Sequence, residues 1–254
     1  MLNISVVVLT CNQATYTLRL LETLTPWLKN NPDSELIIVD NGSTDNTSKI
    51  IEESGLISPS QLHYIYNAKN LGVAGGRNIG LRKASKDLVL ILDNDTEVSP
   101  AAIDGLRSHI ASRQNCGLCA PALISPSGDI QDSAKPFPGL GIKIAHILDR
   151  KGRSRSEEEA MKSPHPFYVI GACQMFRRSI IDEIGLLDEN IFYGPEDADW
   201  CMRIRNAGYT IDYLPQYNII HHWQRATNRS PFSPLSRLHL RALLYFYRKH
   251  HRLF

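Results

Sequence analysis

Residues 88–97, with the sequence LVLILDNDTE, constrain the fold of this chain more than any other stretch. Five consecutive aliphatic residues predict a strand that is buried on both faces, as in the centre of a parallel sheet. Two carboxylates, Asp93 and Asp95, follow at its end. Because side chains alternate along an extended chain, both acids face one side and can bind one hard cation or one polar ligand. Open α/β sheets bind ligands at this carboxyl edge, although a lone Asp-x-Asp also serves as a plain turn.

The chain before this stretch alternates strands with helices. Strands are predicted over residues 4–9, 36–39 and 63–66, and each is followed by polar or glycine-rich residues that open a helix. This order predicts right-handed crossovers and a doubly wound, mostly parallel sheet flanked by helices. A length of 254 residues fits one large α/β domain.

The second half of the chain is less regular. Residues 125–166 contain five prolines and a mixed-charge run, and they predict a loop-rich excursion with a short helix near residues 142–148. The further elements predicted by pattern are helices over 101–112, 180–184 and 196–207, and strands over 118–123, 168–177, 210–214 and 217–221.

Composition narrows the class of protein. A hydrophobic fraction of 43% with 21% charged residues is ordinary for a globular domain. The five cysteines are scattered, and the C-x-x-C at Cys116 and Cys119 has no second pair or Cys/His cluster nearby in sequence. We therefore expect reduced structural thiols instead of a zinc site. Without a signal-peptide pattern or a long apolar run, the expected location is cytoplasmic.

The C-terminal segment, residues 235–254, has the spacing of an amphipathic helix. Seven Lys and Arg residues and no acid lie beyond residue 224. Because the whole chain has a net charge of only +2, residues 1–224 are mildly acidic. Leu235, Leu238, Ala242, Tyr245 and Phe246 are predicted to share one face, and Arg237, Arg241, Arg248 and Arg252 to form a basic stripe. Such a helix packs on its domain with a solvated edge or contacts an anionic lipid surface, and the two are compatible.

Two further stretches place polar groups near the same edge of the sheet. Asp40 ends the second strand, where a carboxylate can accept from a ribose hydroxyl or a base N–H, although Asp-Asn-Gly is also a turn signal. The glycine-rich residues 70–80 predict close backbone approach and exposed N–H groups at a helix start, with Arg77 available for phosphate or base. Neither G-x-G-x-x-G nor a P-loop is present.

A third stretch, FYGPEDADWCMRIR over residues 192–205, opens a helix with three acids. Acids in a first helical turn suit the helix dipole, so capping explains one or two of them. Their exposed oxygens can also face a cleft, where one of them can act as a general base for a hydroxyl nucleophile. Trp200 is expected to pack in the helix interface rather than to line a site.

In this order, the motifs resemble the inverting family 2 glycosyltransferases with the GT-A fold. The resemblance rests on VVVLTCN at residues 6–12, VDNGSTD at 39–45, residues 70–78, Asp93-Asn94-Asp95, YGPED at 193–197, and Pro215 followed by His221-His222. Within the family, the rhamnosyltransferase-type members look most similar. Pro195 departs from the commoner Gly-Glu-Asp arrangement, but proline suits a first helical residue.

The resemblance implies a role for each matched residue. Asp40 would hold the base of a nucleotide-sugar donor, with Thr10, Asn12 and Gly72 at the same rim and Arg77 near the nucleotide. Asp93 would contact the ribose or metal-bound water. Asp95 and His221 would bind a divalent metal, Mg²⁺ or Mn²⁺, with His222 left open as the alternative ligand. Asp197 would be the catalytic base, and Glu196 would orient it or the acceptor.

The expected function is transfer of one sugar, such as rhamnose, from a dTDP- or UDP-sugar donor to a hydroxyl of a cell-envelope or lipid-linked glycan. Residues 1–124 would form the nucleotide-binding half and residues 125–234 the acceptor-binding half, with the terminal helix touching the inner face of the membrane. No nucleic acid partner is expected. The alternatives are a UDP-hexose or N-acetylhexosamine transferase, a nucleotidyltransferase, and a catalytically silent nucleotide-sugar binding module.

Overall fold

The computed structural model describes residues 2–139, 155–222 and 234–251. The strands are β1 (Ile4–Thr10), β2 (Glu35–Asp40), β3 (Leu62–Tyr66), β4 (Leu88–Asp93), β5 (Thr96–Glu97), β6 (Cys116–Ile124), β7 (Ala134–Lys135), β8 (Tyr168–Val169), β9 (Cys173–Arg177) and β10 (Thr210–His221). The helices are α1 (Ala14–Lys29), α2 (Thr47–Ser54), α3 (Gly72–Lys83), α4 (Pro100–Ser112), α5 (Arg155–Lys162), α6 (Ser179–Ile184), α7 (Glu196–Asn206) and α8 (Pro234–His250).

Eight strands form one mixed sheet in the order β3-β2-β1-β4-β9-β6-β10-β5. The pairs from β3 to β4 are parallel, as is the pair of β6 with β10, while β9 runs antiparallel to both of its neighbours. The carboxyl ends of β1, β2, β4, β6 and β10 therefore meet at one edge, which we call the carboxyl edge. Their starts define the opposite, amino edge. The predicted α/β architecture, a mostly parallel sheet flanked by helices, is confirmed.

Helices cover both faces of the sheet and bury two apolar layers. On one face, Leu20, Leu24 and Trp27 of α1 pack with Ile103 of α4, and each is almost fully buried. On the other face, α3, α7 and α8 pack on strand residues such as Phe176. Removing one of these large side chains should cost about 2–5 kcal/mol of folding free energy.

Two predicted strands differ from the observed ones. The strand predicted over residues 168–177 is divided into β8 and β9, because Gly171 and its neighbours turn the chain from the small β7–β8 sheet into the main sheet. The two strands predicted around Pro215 are instead the single strand β10, whose register against β6 shifts between Leu214 and Asn218. An irregular register accommodates proline, which lacks the N–H that a regular ladder requires. The helix predicted near 142–148 lies outside the described residues.

The terminal helix α8 is fixed to the domain by apolar and ionic contacts. Ala242, Leu243, Phe246 and Tyr247 form its buried face. Asp199 in α7 is fully buried, and its carboxylate lies 2.7 Å from Lys249 Nζ, 2.8 Å from His250 Nε2 and 2.9 Å from Arg203 Nε. These contacts fasten α8 to the helix that begins with Glu196.

The apolar face predicted for α8 was partly wrong. Leu238 is 36% exposed, Leu240 58% and Leu244 62%, so these leucines point away from the core. Arg237, Arg241 and Arg248 are also exposed, whereas Arg252 lies outside the described residues. The side chains on the outside of the helix are therefore both basic and apolar. No helix among the residues described is both long and apolar enough to cross a bilayer.

Candidate active site

A cleft of about 650 Å³ opens at the carboxyl edge of the sheet. Its walls include Thr10 and Cys11 at or just after the end of β1, Asp93 and Asp95 at or just after the end of β4, and residues 192–197 before and at the start of α7. His221 at the end of β10 and His239 of α8 also line the cleft. The motifs that are far apart in sequence therefore surround one cavity.

Three potential metal donors converge in this cleft. Asp93, Asp95 and His221 each offer one ligand atom, and these atoms all lie within 4.8 Å of one another. His221 Nε2 is 3.5 Å from Asp95 Oδ1. Carboxylate oxygens with one imidazole nitrogen suit a divalent ion such as Mg²⁺ or Mn²⁺.

Gln131 orients the imidazole of His221. Its amide N–H donates to the backbone oxygen of His221 at 2.7 Å, and its Oε1 lies 2.7 Å from His221 Nδ1. Since an amide oxygen only accepts, Nδ1 carries the proton and Nε2 keeps its lone pair towards Asp95. Such a partner fixes the tautomer that metal binding requires, so the residues present fit a metal ion.

The neighbouring histidine is engaged elsewhere. His222 Nε2 lies 2.6 Å from Glu97 Oε1, and its ring packs on Tyr16 with 5.3 Å between centroids. Of the two histidines that the sequence left open, the structure brings His221 to the two aspartates.

Arg77 lies inside the wall of the cleft, between the two acidic motifs. Its Nη2 donates to Asp93 Oδ1 and, at 3.0 Å, to the Gly171 carbonyl, while its Nη1 is 3.8 Å from Glu196 Oε1. Burial alone would lower the pKa of Arg77, but the charges of Asp93 and Glu196 raise it. The guanidinium is therefore a fixed cation that joins the metal-donor cluster to the start of α7.

Glu196 and Asp197 differ in environment. Glu196 is buried, and its Oε2 makes no hydrogen bond with the described residues. Burial, together with the charge of Asp197, raises the pKa of Glu196 to about 7 although Arg77 opposes the shift. Asp197 is more exposed, lines the cleft, and accepts from the Ala198 N–H at 2.7 Å. Glu196 is thus the member of the pair that retains its proton more readily, and Asp197 is the more accessible carboxylate.

The residues around this pair differ from expectation in one respect. Pro195 is not the first helical residue: it precedes the helix, and the Gly194–Pro195 peptide bond is cis. Trp200 packs in the core as expected, fully buried and edge-on to Phe176.

The residues predicted to bind the nucleotide are close together but are held by internal hydrogen bonds. Asp40 is 1% exposed, and it accepts from the Ser43 N–H at 2.8 Å and from the Tyr64 hydroxyl at 2.6 Å. It lies beneath the cleft instead of lining it, whereas Asn41 on the next position reaches the cleft wall. In this arrangement both oxygens of Asp40 are engaged within the protein.

Thr10 and Asn12 connect the end of β1 to neighbouring segments. The Thr10 hydroxyl is 2.8 Å from that of Thr17. Asn12 adopts a φ of 54°, which asparagine tolerates better than most residues, and its Oδ1 accepts from the Thr44 N–H at 2.6 Å. Only Thr10 of the two lines the cavity among the described residues.

The expectation of exposed amides at the start of α3 was wrong for Gly72 and Val73. The Gly72 N–H donates to Asn70 Oδ1 at 2.8 Å, and the Val73 N–H donates to the Phe192 carbonyl at 2.9 Å. Gly72 has a φ of +75°, and a Cβ there would lie 2.5 Å from the Phe192 oxygen. The glycine is thus required for close contact between α3 and the segment before α7.

Two lining residues carry no sequence signal. Gln131 lies in a loop after β6 and His239 in α8, and neither belongs to a recognisable motif. His239 Nδ1 is 3.1 Å from the Gly194 carbonyl, next to the acidic pair. Only the tertiary fold brings these side chains to the cleft.

Comparison with known proteins identifies relatives along most of the chain. The sequence model described as "Glycosyl transferase family 2" matches residues 5–185. An N-acetylglucosaminyl-diphospho-decaprenol L-rhamnosyltransferase of Mycobacterium tuberculosis is 24% identical over 234 residues, covering 85% of this chain and 75% of its own. The dTDP-rhamnosyl transferase RfbF of Shigella flexneri is 24% identical over 183 residues, covering 70% and 57%.

Solved structures share the fold. The mannosyltransferase PcManGT of Pyrobaculum calidifontis, in complex with GDP-Man and Mn²⁺, superposes with a TM-score of 0.67 at 17% identity, covering 89% of this chain and 58% of its own. GalNAc-T7 with UDP, GalNAc and Mn²⁺ gives a TM-score of 0.72 at 19% identity, covering 98% and 48%.

Proposed function

This chain belongs to glycosyl transferase family 2, and from that premise we propose that it moves one sugar from a nucleoside diphosphate donor to an acceptor hydroxyl by single displacement with inversion. The observation that carries the proposal is the sharing of one cleft by the Asp93–Asp95–His221 cluster and the Glu196–Asp197 pair. A displacement of this kind needs both a group that neutralises the leaving diphosphate and a base that activates the attacking oxygen.

Asp197 is the residue that we assign as catalytic base. Its carboxylate is accessible in the cleft and takes the proton of the acceptor hydroxyl as that oxygen attacks the sugar. Glu196, with its pKa raised to about 7, holds a proton near neutral pH and orients Asp197 or the acceptor. Arg77 contacts both Asp93 and Glu196 and so fixes the position of one acidic motif relative to the other.

Asp95 and His221 are proposed as the protein ligands of Mg²⁺ or Mn²⁺, with Asp93 holding the ribose or an ion-bound water. When bound, such an ion would neutralise the charge of the donor diphosphate. Gln131 keeps His221 Nε2 available for that purpose. The complexes of PcManGT and GalNAc-T7 with Mn²⁺ support the choice of a divalent ion.

The nucleotide is assigned to residues 1–124 and the acceptor to residues 125–234. Thr10, Gly72 and Asp93 line the cleft directly, Asn12 shapes the adjoining loop, and Asp40 lies just beneath. Rhamnose from a dTDP donor is our first choice of sugar, because both rhamnosyltransferase relatives match most of the chain. A UDP-hexose or UDP-N-acetylhexosamine is the alternative donor.

We assign the acceptor to the lipid-linked or cell-envelope glycans, and α8 to contact with the inner face of the membrane. The outward leucines at 240 and 244 alternate with Arg237, Arg241 and Arg248, as in helices that lie on anionic bilayers. Co-sedimentation with phosphatidylglycerol vesicles should be strong in wild type and weak in Leu240→Ser/Leu244→Ser. Equal binding by that variant would rule out this contact.

A thermal-shift panel tests the proposed function. UDP, dTDP, GDP and NAD are compared with and without Mn²⁺. A ligand at about 100 times its Kd stabilises by about 2.7 kcal/mol, which raises the Tm by several degrees. We expect a Mn²⁺-dependent shift with one diphosphate, followed by sugar transfer from the matching donor. Diphosphate binding without any transfer would favour a silent binding module, and pyrophosphate release from a triphosphate would favour a nucleotidyltransferase.

A further inference from the structure

A second group of metal-binding donors lies at the amino edge of the sheet, away from the cleft. It consists of His109 near the end of α4, Cys116 at the first position of β6 and Asp212 near the start of β10. One ligand atom from each lies within 4.8 Å of the others. The fold thus brings a histidine and an aspartate to Cys116, whereas Cys119 is not part of the group and donates to the Leu106 carbonyl.

Asp212 is the centre of this group. Its side chain is 3% exposed, with Oδ2 2.7 Å from His109 Nε2 and Oδ1 2.8 Å from His165 Nδ1. A buried carboxylate is stable only when its oxygens have hydrogen-bonding or metal partners, and here each oxygen lies beside one imidazole nitrogen. The donors come from three separate elements and the loop before β8, so none of them is a local cap.

A cavity of about 310 Å³ opens beside the group and gives access from solvent. His109, His165 and Asp212 line it together with Arg113 and Lys162. An ion can therefore reach His109 and Asp212 from solvent, and the buried Cys116 thiol lies behind them.

We propose that His109, Cys116 and Asp212 bind a borderline-soft transition metal, with zinc as the ion of choice and His165 beside Asp212 as a fourth donor. Thiolate, imidazole and carboxylate are the ligand types that zinc takes in proteins. In a tetrahedral site with bonds of about 2.0–2.3 Å, ligand atoms lie roughly 3.3–3.7 Å apart. The ligand atoms of His109, Cys116 and Asp212 lie within 4.8 Å of one another, so these three donors need only small movements. His165 lies outside this group, on the other oxygen of Asp212, and has to turn towards the ion.

The charges of the site balance when zinc binds. Cys116 loses its thiol proton to solvent, and Asp212 is already ionised. Each imidazole that ligates the ion does so in its neutral form, with its proton moved from the nitrogen that now donates to Asp212 to the other ring nitrogen. Two negative ligands then cancel the two positive charges of the ion, so the neighbouring Arg113 and Lys162 are not repelled. The bound ion would tie α4, β6 and β10 together, which assigns it a stabilising role and not a catalytic one.

The chemistry of the two clusters provides a direct test. Cobalt(II) bound by a thiolate gives a charge-transfer band in the near ultraviolet, and a cluster of only carboxylates and imidazole does not. The reduced wild type and Asp95→Asn should both show this band with one equivalent of cobalt. Cys116→Ser should lose it. Cys201→Ser is the matched control, because Cys201 is another buried free thiol, and it should keep the band.

A second measurement covers the case in which Cys116→Ser does not fold. His165→Ala alters a half-exposed side chain, and His109→Gln keeps a polar group in place. Each should weaken cobalt binding about 10–100-fold while the band remains visible at saturation. Absence of the band in wild type, its persistence in Cys116→Ser, or unchanged cobalt affinity in both histidine variants would show that the group is a metal-free hydrogen-bonded cluster.

Discussion

The two donor clusters at opposite edges of one sheet differ in chemistry and in the means by which they are assembled. At the carboxyl edge, two aspartates and His221 face a large cleft together with the Glu196–Asp197 pair. At the amino edge, the Cys116 thiol, the Asp212 carboxylate and imidazoles lie beside a smaller cavity, and Asp212 is the one acid that the described residues contribute to its wall. An oxygen-rich site beside the carboxylate that we propose as base suits reversible binding of a diphosphate, whereas a thiolate-containing site suits permanent binding of an ion.

The largest expected effect is on turnover at the carboxyl edge. Asp197→Asn removes the carboxylate that we assign as base while it keeps the size of the side chain. We expect kcat for sugar transfer to fall about 10²–10⁴-fold, with donor binding retained. Steady-state assays with the donor identified by the thermal panel measure this. Asp182→Asn, in the exposed part of α6, is the matched control and should be unchanged. Full turnover in Asp197→Asn would remove the assignment.

The next effect concerns metal-dependent binding of the nucleotide. Asp95→Asn should lose the Mn²⁺-dependent stabilisation of about 2.7 kcal/mol that saturating diphosphate gives. His222→Gln should keep it, because His222 is directed to Glu97 and not to the cluster. Thermal shifts of both variants with and without Mn²⁺ provide the measurement. If His222→Gln loses the shift and His221→Gln keeps it, the ligand assignment is reversed.

A smaller effect should appear in the pH dependence of stability. Glu196 has a pKa raised from 4.5 to about 7 by burial and by Asp197, so the folded state favours its protonated form. Wild type should lose about 1–3 kcal/mol relative to Glu196→Gln as pH rises from 4.5 to 7, and nothing further above 7. Urea unfolding at several pH values measures the difference.

Asp188→Asn is the control for that experiment, because the pKa of Asp188 is shifted in the opposite direction from that of Glu196. Burial would raise the pKa of Asp188, but hydrogen bonds from Lys249 and Asn190 lower it to about 2. Its contribution to stability is present above pH 3.8 and is lost as pH falls towards 2, so its effect should be constant between pH 4.5 and 8. Parallel curves for wild type and Glu196→Gln would contradict the raised pKa.

The two edges also differ in how far the sequence predicts them. Asp93 and Asp95 follow a strand of five aliphatic residues, so local pattern alone places them at the carboxyl edge. Their sheet, its helices and the position of the acidic pair on α7 follow from the same periodicity and order of motifs. The amino-edge donors at 109, 116, 165 and 212 have no common spacing, because α4, β6, β10 and the loop before β8 meet only in the folded chain.

Other differences have the same origin. Gln131 and His239 reach the cleft from a loop and a terminal helix, and no local pattern specifies such long-range contacts. The sequence also does not indicate that Asp40 is buried and accepts hydrogen bonds from Ser43 and Tyr64. Nor does it indicate that the Phe192 carbonyl accepts from the Val73 N–H at the start of α3. Hydrogen-bond partners depend on side-chain positions that periodicity does not determine.

The smallest expected effect on catalysis is that of His165→Ala at the amino edge. This variant tests most directly whether the two donor clusters act separately. His165 is about half exposed and far along the sheet from the cleft, so His165→Ala should change kcat less than twofold. It should lower metal-free stability by about 1–3 kcal/mol, because one oxygen of the buried Asp212 carboxylate loses its partner. The stabilisation that zinc gives to wild type should nevertheless decrease. Activity assays and thermal unfolding with and without zinc measure both quantities. A large loss of kcat in this variant would mean that the two edges are coupled, and the separation of a catalytic from a stabilising ion site would then be wrong.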